Sequence, residues 1–134
     1  MVNRASGTFE VKLSPLSTYD ESDDSGLGRM SLDKRFRGDL DATSKGEMLT
    51  ALTPVAGSAG YVAMERVTGT LHGLSGSFIL KHDGTMRRGA PTLLVHVVPD
   101  SATGELEGLE GEMVIDIMGG RHSYTLSYTL PRAD

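Results

Sequence analysis

The chain has 134 residues, enough for one domain with a single core and too few for two. Its 18 acidic and 13 basic side chains leave a net charge of −5, so the surface as a whole repels phosphate backbones. With three Phe, no Trp and a lone basic cluster (Lys34, Arg35, Arg37) hemmed in by Asp33, Asp39 and Asp41, nucleic-acid binding is not expected.

The lack of cysteine rules out disulfides, thiolate nucleophiles and cysteine metal sites. The opening residues MVNRASGTFEV carry no apolar run of the secretory kind, and no stretch reaches the roughly 20 apolar residues of a helical membrane span. A soluble cytoplasmic protein is the expectation. Seventeen glycines and few aromatics disfavour helix interiors, where each glycine costs about 1 kcal/mol, and suit turns and bends in a curved sheet.

In chain order, residues 6–13 alternate, with Phe9, Val11 and Leu13 on one face and Thr8, Glu10 and Lys12 on the other, a half-buried strand that Pro15 is expected to end. Residues 19–28, YDESDDSGLG, form an acidic glycine-closed loop without calcium-loop spacing. Residues 29–37 alternate again, and Lys34 is the odd member of the oily row Met30, Leu32, Phe36. Residues 41–52 are ambiguous. Ser44 to Glu47 has the form of a helix capping box, with Met48, Leu49 and Leu52 as a short stripe, but Gly46, Thr43, Thr50 and the nearby Pro54 argue for a long bent strand, which we adopt.

Residues 58–86, SAGYVAMERVTGTLHGLSGSFILKHDGTM, are the centre of the pattern: two strands meeting at His72-Gly73. Tyr61, Ala63, Glu65 and Val67 share one face, and on the return strand Phe78, Leu80 and His82 do so. Asp83-Gly84 reads as a turn. Residues 91–99 lie between prolines and are apolar on both faces, so the strand is covered on both sides or lies at a subunit contact. If Leu94, His96 and Val98 face inward, then Leu93, Val95 and Val97 form an outer stripe, extended by Ile79, and a homodimer is expected. Residues 105–118 and 121–130 complete the set around Gly119-Gly120, with Met113, Ile115 and Ile117 facing Tyr124, Leu126, Tyr128 and Leu130. A faint 35-residue echo links Gly73–Phe78 to Gly108–Met113. About eight strands with short connections and no firm helix predict an all-β fold, one eight-stranded antiparallel closed barrel.

The runs GRMSLDKRFRGDLDATSKGEML, SAGYVAMERVTGTLHGLSGSFILKHDGTM, VVPDSATGELEGLEGEMVIDI and HSYTLSYTLP resemble the domain of unknown function 3224 family, an uncharacterised bacterial family, over nearly the whole chain. The resemblance implies a lipocalin-like barrel similar to that of allene oxide cyclase. It implies no activity: a cyclase would be an analogy from fold alone, and no catalytic pattern of such enzymes maps onto these residues.

Taking each oily row as inward, the polar intruders are Lys34, Glu65, His82 and His96, with Tyr61, Tyr124 and Tyr128 carrying hydroxyls. Buried charges must find partners, so Glu65 and Lys34 are expected to pair beside His82. As catalytic candidates these three would run proton transfer. The candidate ligand-binding set is Met30, Lys34, Phe36, Tyr61, Glu65, Phe78, Leu80, His82, Tyr124 and Tyr128. A binding module for a small, largely apolar molecule is the leading reading. A cofactor-free isomerase or cyclase competes with it, and a lumen filled by Phe9, Phe36, Phe78 and Tyr128 would mark a structural barrel. His72, His82, His96 and His122 include no closely spaced pair, so no metal is expected, and no cofactor motif occurs: there is no P-loop, and Gly73–Ser77 lacks the second glycine of a nucleophile elbow.

Overall fold

A computed structural model describes residues 2–131. Eight strands follow in order: β1 (Asn3–Leu16), β2 (Leu27–Gly38), β3 (Leu40–Leu52), β4 (Ala59–Leu71), β5 (Leu74–Arg87), β6 (Ala90–Val97), β7 (Glu110–Met118) and β8 (Arg121–Thr129). Each pairs antiparallel with the next and β8 returns to β1, closing the barrel. Residues 41–52 lie within β3, fully laddered from Leu40↔Leu71 to Leu52↔Ala59. Packing on both flanks overrides the weak capping signal. No helix among the described residues is long and apolar enough to cross a membrane.

Four details of the sequence reading are corrected. Pro15 does not end β1, which runs on to Leu16; beyond Phe9 its only neighbour is β2, and such edge backbone tolerates a missing N–H. Asp83-Gly84 is not a turn: β5 continues to Arg87, and the chain reverses at Arg88-Gly89, where φ is 47° and 88°. The glycine at 84 has another use, because a Cβ there would lie 2.2 Å from the Tyr61 ring. Residues 104–106 form a 3-10 turn ahead of β7 instead of its start. Finally, Val95 and Val97 point into the core, while Leu94 is exposed and His96 half-buried, so the proposed outer stripe Leu93, Val95, Val97 does not exist. A strand apolar on both faces carries no phase by which alternation fixes its direction.

The two ends of the barrel differ. At one, which we call the packed end, the 38–40 and 72–73 turns and the long 98–109 connection gather Leu40, Leu71, Leu106 and Leu109 over Phe36, Phe78 and Leu126, all buried. The connection replaces β6 beside the start of β5: Val98 N donates to Ile79 O at 2.9 Å and Thr103 N to Ser77 O at 2.8 Å. At the other, the open end, β1 to β6 continue past the core and their inward rows reach solvent. β6 and β7 share one ladder pair, His96↔Glu112, and part toward the open end.

Candidate functional site

Four consecutive strands each turn one polar side chain into the lumen: Lys34 from β2, Ser44 from β3, Glu65 from β4 and His82 from β5. Lys34 Nζ donates to Glu65 Oε2 at 2.7 Å, and the His82 Nε2–H donates to the same oxygen. Ser44 Oγ donates to Glu65 Oε1 at 2.6 Å. Gly46, paired with Glu65 across β3 and β4, leaves room for this side chain: a Cβ there would come within 2.9 Å of that of Glu65. The ammonium of Lys34 also lies 4.8 Å from the centroid of Phe9 and 5.7 Å from that of Phe36, so its unpaired side faces aromatic rings of the core.

Burial is the largest influence on Glu65 and pushes its carboxyl up. The hydrogen bond from His82, the Lys34 and His82 charges and the Lys34 hydrogen bond together outweigh it and bring the group from 4.5 down to about 2. Glu65 is therefore an anion throughout the physiological range. Being an acceptor only, it fixes a proton on His82 Nε2.

Lys34, Glu65 and His82 meet here as their places in the inward rows predict, and Ser44 joins them as a member not singled out by sequence. The signal was present, since Ser44 interrupts the row Ala42, Gly46, Met48 as Lys34 interrupts its own, but the capping-box pattern claimed it. Of the other residues singled out, Phe36, Phe78, Leu80, Tyr124 and Tyr128 lie in the core, and with Phe9 they fill the deep lumen, the feature expected of a structural barrel. The interior ligand-binding set is corrected accordingly, since Tyr61 is its one member on the open-end cavity described below. Met30 is half-buried toward the open end. His96 faces outward, level with Lys81 and Glu112. Among the described residues no three His, Asp or Glu side chains cluster as metal ligands would.

The free space lies at the open end, in an apolar cavity of about 390 Å³. Its walls combine the last inward residues of the strands, Thr50, Tyr61, Gly84, Met86, Leu93 and Ile117, with rim residues of the outer rows such as Ala51 and Thr85. Leu93 and Ile117 stand across the gap where β6 and β7 part. Tyr61 lies against Gly84, one inward step beyond His82 on β5 and two beyond Glu65 on β4. Lys34, Glu65 and His82 do not line the cavity but lie deeper along their strands. Burial raises the Tyr61 pKa, and the Glu65 charge raises it further. Other depressions, of about 420, 540 and 580 Å³, have charged side chains such as Glu10, Lys12, Glu112 and Arg121 among their linings, and the first also reaches Lys34 and Ser44.

A family described as "Protein of unknown function (DUF3224)" matches residues 5–128. The chain belongs to the DUF3224 family. The crystal structure, at 1.84 Å resolution, of a protein with unknown function from this family, from Shewanella oneidensis MR-1, is 48% identical, superposes with a TM-score of 0.94, and is covered over 99% of this chain and 100% of that one. No curated protein matches. Membership in the DUF3224 family thus agrees with the barrel and leaves its use to be argued from the site.

Proposed function

We propose that this DUF3224 barrel binds a small, largely apolar molecule in the open-end cavity. What supports the reading is the contrast between a deep lumen with no room and a mouth whose apolar inward residues stay wet around about 390 Å³, within the range of small-molecule sites. The buried cluster beneath is the floor that keeps the lumen shut. An isomerase or cyclase using Glu65, Lys34 and His82 is disfavoured by Glu65 itself: both its oxygens are occupied and its pKa is about 2, whereas an efficient general base sits near the working pH.

The test is saturable binding of the uncharged fluorophore N-phenylnaphthylamine. Leu93→Trp, which fills the cavity from the β6 side, is expected to weaken that binding at least about tenfold, roughly 1.4 kcal/mol. Fluorophore binding that ignores Leu93→Trp, or no saturable binding at all, would count against the cavity. We keep the homodimer and the cytoplasmic setting as parts of the same proposal. With Val95 and Val97 turned inward, the exposed outer side chains Leu49, Val62 and Met64 of β3 and β4 are the surface such a dimer would use. A light-scattering mass of one chain would remove it.

A further inference from the structure

We propose that the open-end cavity selects a ligand whose inner end is uncharged and accepts a hydrogen bond, such as a ketone, aldehyde or ester carbonyl, and that Tyr61 makes the selection. The inference rests on the binding reading above and adds the chemistry of the head group.

Three tyrosines point into the barrel, and they are not equivalent. At the packed end the Tyr124 hydroxyl accepts from Leu40 N at 2.9 Å and donates to Arg37 O at 3.0 Å, and the Tyr128 hydroxyl bonds His72 Nδ1. The Tyr61 hydroxyl has no protein partner among the described residues. No buried side-chain polar atom among those residues lacks one, so this hydroxyl is not a sealed-in defect but an accessible group on the cavity wall. A polar atom held on an otherwise apolar wall is the usual means by which such a site fixes orientation.

The lack of any charged side chain on the wall decides what it takes. Two inward steps deeper on the same strand is the Glu65 carboxylate. Its counter-ion Lys34 is committed to it and turned against the rings of Phe9 and Phe36, away from the mouth. A carboxylate or an ammonium entering the cavity would be desolvated against a wall that carries no charged side chain, with Glu65 and Lys34 already neutralising each other beneath it. A carbonyl carries no such penalty and receives the phenol proton. An ordinary phenol is already protonated at neutral pH, and burial first and the Glu65 charge second raise the Tyr61 pKa further, so the hydroxyl is a donor there.

Methyl octyl ketone, decanoate and decylamine share one chain length and differ in the head. Displacement of N-phenylnaphthylamine from the full chain at neutral pH is expected to need at least about tenfold more decanoate than ketone, with decylamine also the weaker competitor. Tyr61→Phe, which keeps the ring on Gly84 and removes only the hydroxyl, should cut the preference for ketone over the equally long hydrocarbon decane about fivefold, as loss of one hydrogen bond does. Decanoate or decylamine matching the ketone, or an unchanged preference in Tyr61→Phe, overturns the inference and leaves the cavity reading standing. Failure of the fluorophore itself to bind overturns both.

Discussion

The packed and open ends of this barrel are built from the same strands and the same alternation of apolar and polar residues, yet one is dry and the other wet. Phe36, Leu71 and Leu126 are fully buried, while Leu13, Met86, Leu93 and Ile117, inward on the same strands or their neighbours, are 44%, 38%, 38% and 61% exposed. Alternation sets which way a side chain points; a lid decides whether it is covered. The packed end has its lid in the 98–109 connection, whose Leu106 and Leu109 close over the core. At the open end the 17–26 and 53–58 connections bury no side chain, with Tyr19 fully exposed, and the Arg88-Gly89 and Gly119-Gly120 turns are too short to cover anything.

Truncation should expose that asymmetry most strongly. Phe36→Ala is expected to cost about 4 kcal/mol of unfolding free energy and Leu93→Ala less than about 1 kcal/mol, both read from urea titrations. Equal losses would erase the distinction between the ends.

The polar floor between them gives the next effect. Glu65→Gln leaves Lys34 charged and buried, and about 3 kcal/mol should be lost. Lys34→Met combined with Glu65→Leu should recover only part of that, because it removes the orphaned charge but leaves Ser44 and His82 without their acceptor. Acid probes the same group. Because its folded pKa is lowered from 4.5 to about 2, its contribution, on the order of 3 kcal/mol, is complete above about pH 4.5 and fades as pH drops through 2. Urea midpoints followed down in pH should show this loss in the parent and lack it in Glu65→Gln. Superimposable curves would mean that Glu65 is not held so low.

The smallest effect belongs to the seat of Tyr61. Gly84→Ala places a methyl where the ring lies and is expected to cost about 1 kcal/mol while shifting the ring's NMR signals. Signals that stay put would show the seat to be loose.

Much of this was legible in the residues alone. The inward rows of β2, β4 and β5 follow from strict alternation, and a charge in such a row must be paired, which is why Lys34, Glu65 and His82 stood out together. What stayed illegible lacked phase or needed a neighbour. β6 is apolar on both faces, so Val95 and Val97 were assigned outward. Gly84 resembles a turn residue until Tyr61 of the adjoining strand is seen to occupy its missing side chain. Ser44 was hidden by a helix signal only ladder pairing could overrule. Nothing in the composition of residues 98–109 announces that they cover one mouth and leave the other open.

Eight strands close this wall, but one of its seams is a single stitch, His96↔Glu112. Parting β6 from β7 gives up that pair and little else of the ladder, while every other junction resists along its length. If the cavity takes a guest as proposed, one too broad for the gap between Leu93 and Ile117 would find its least costly way in through that seam.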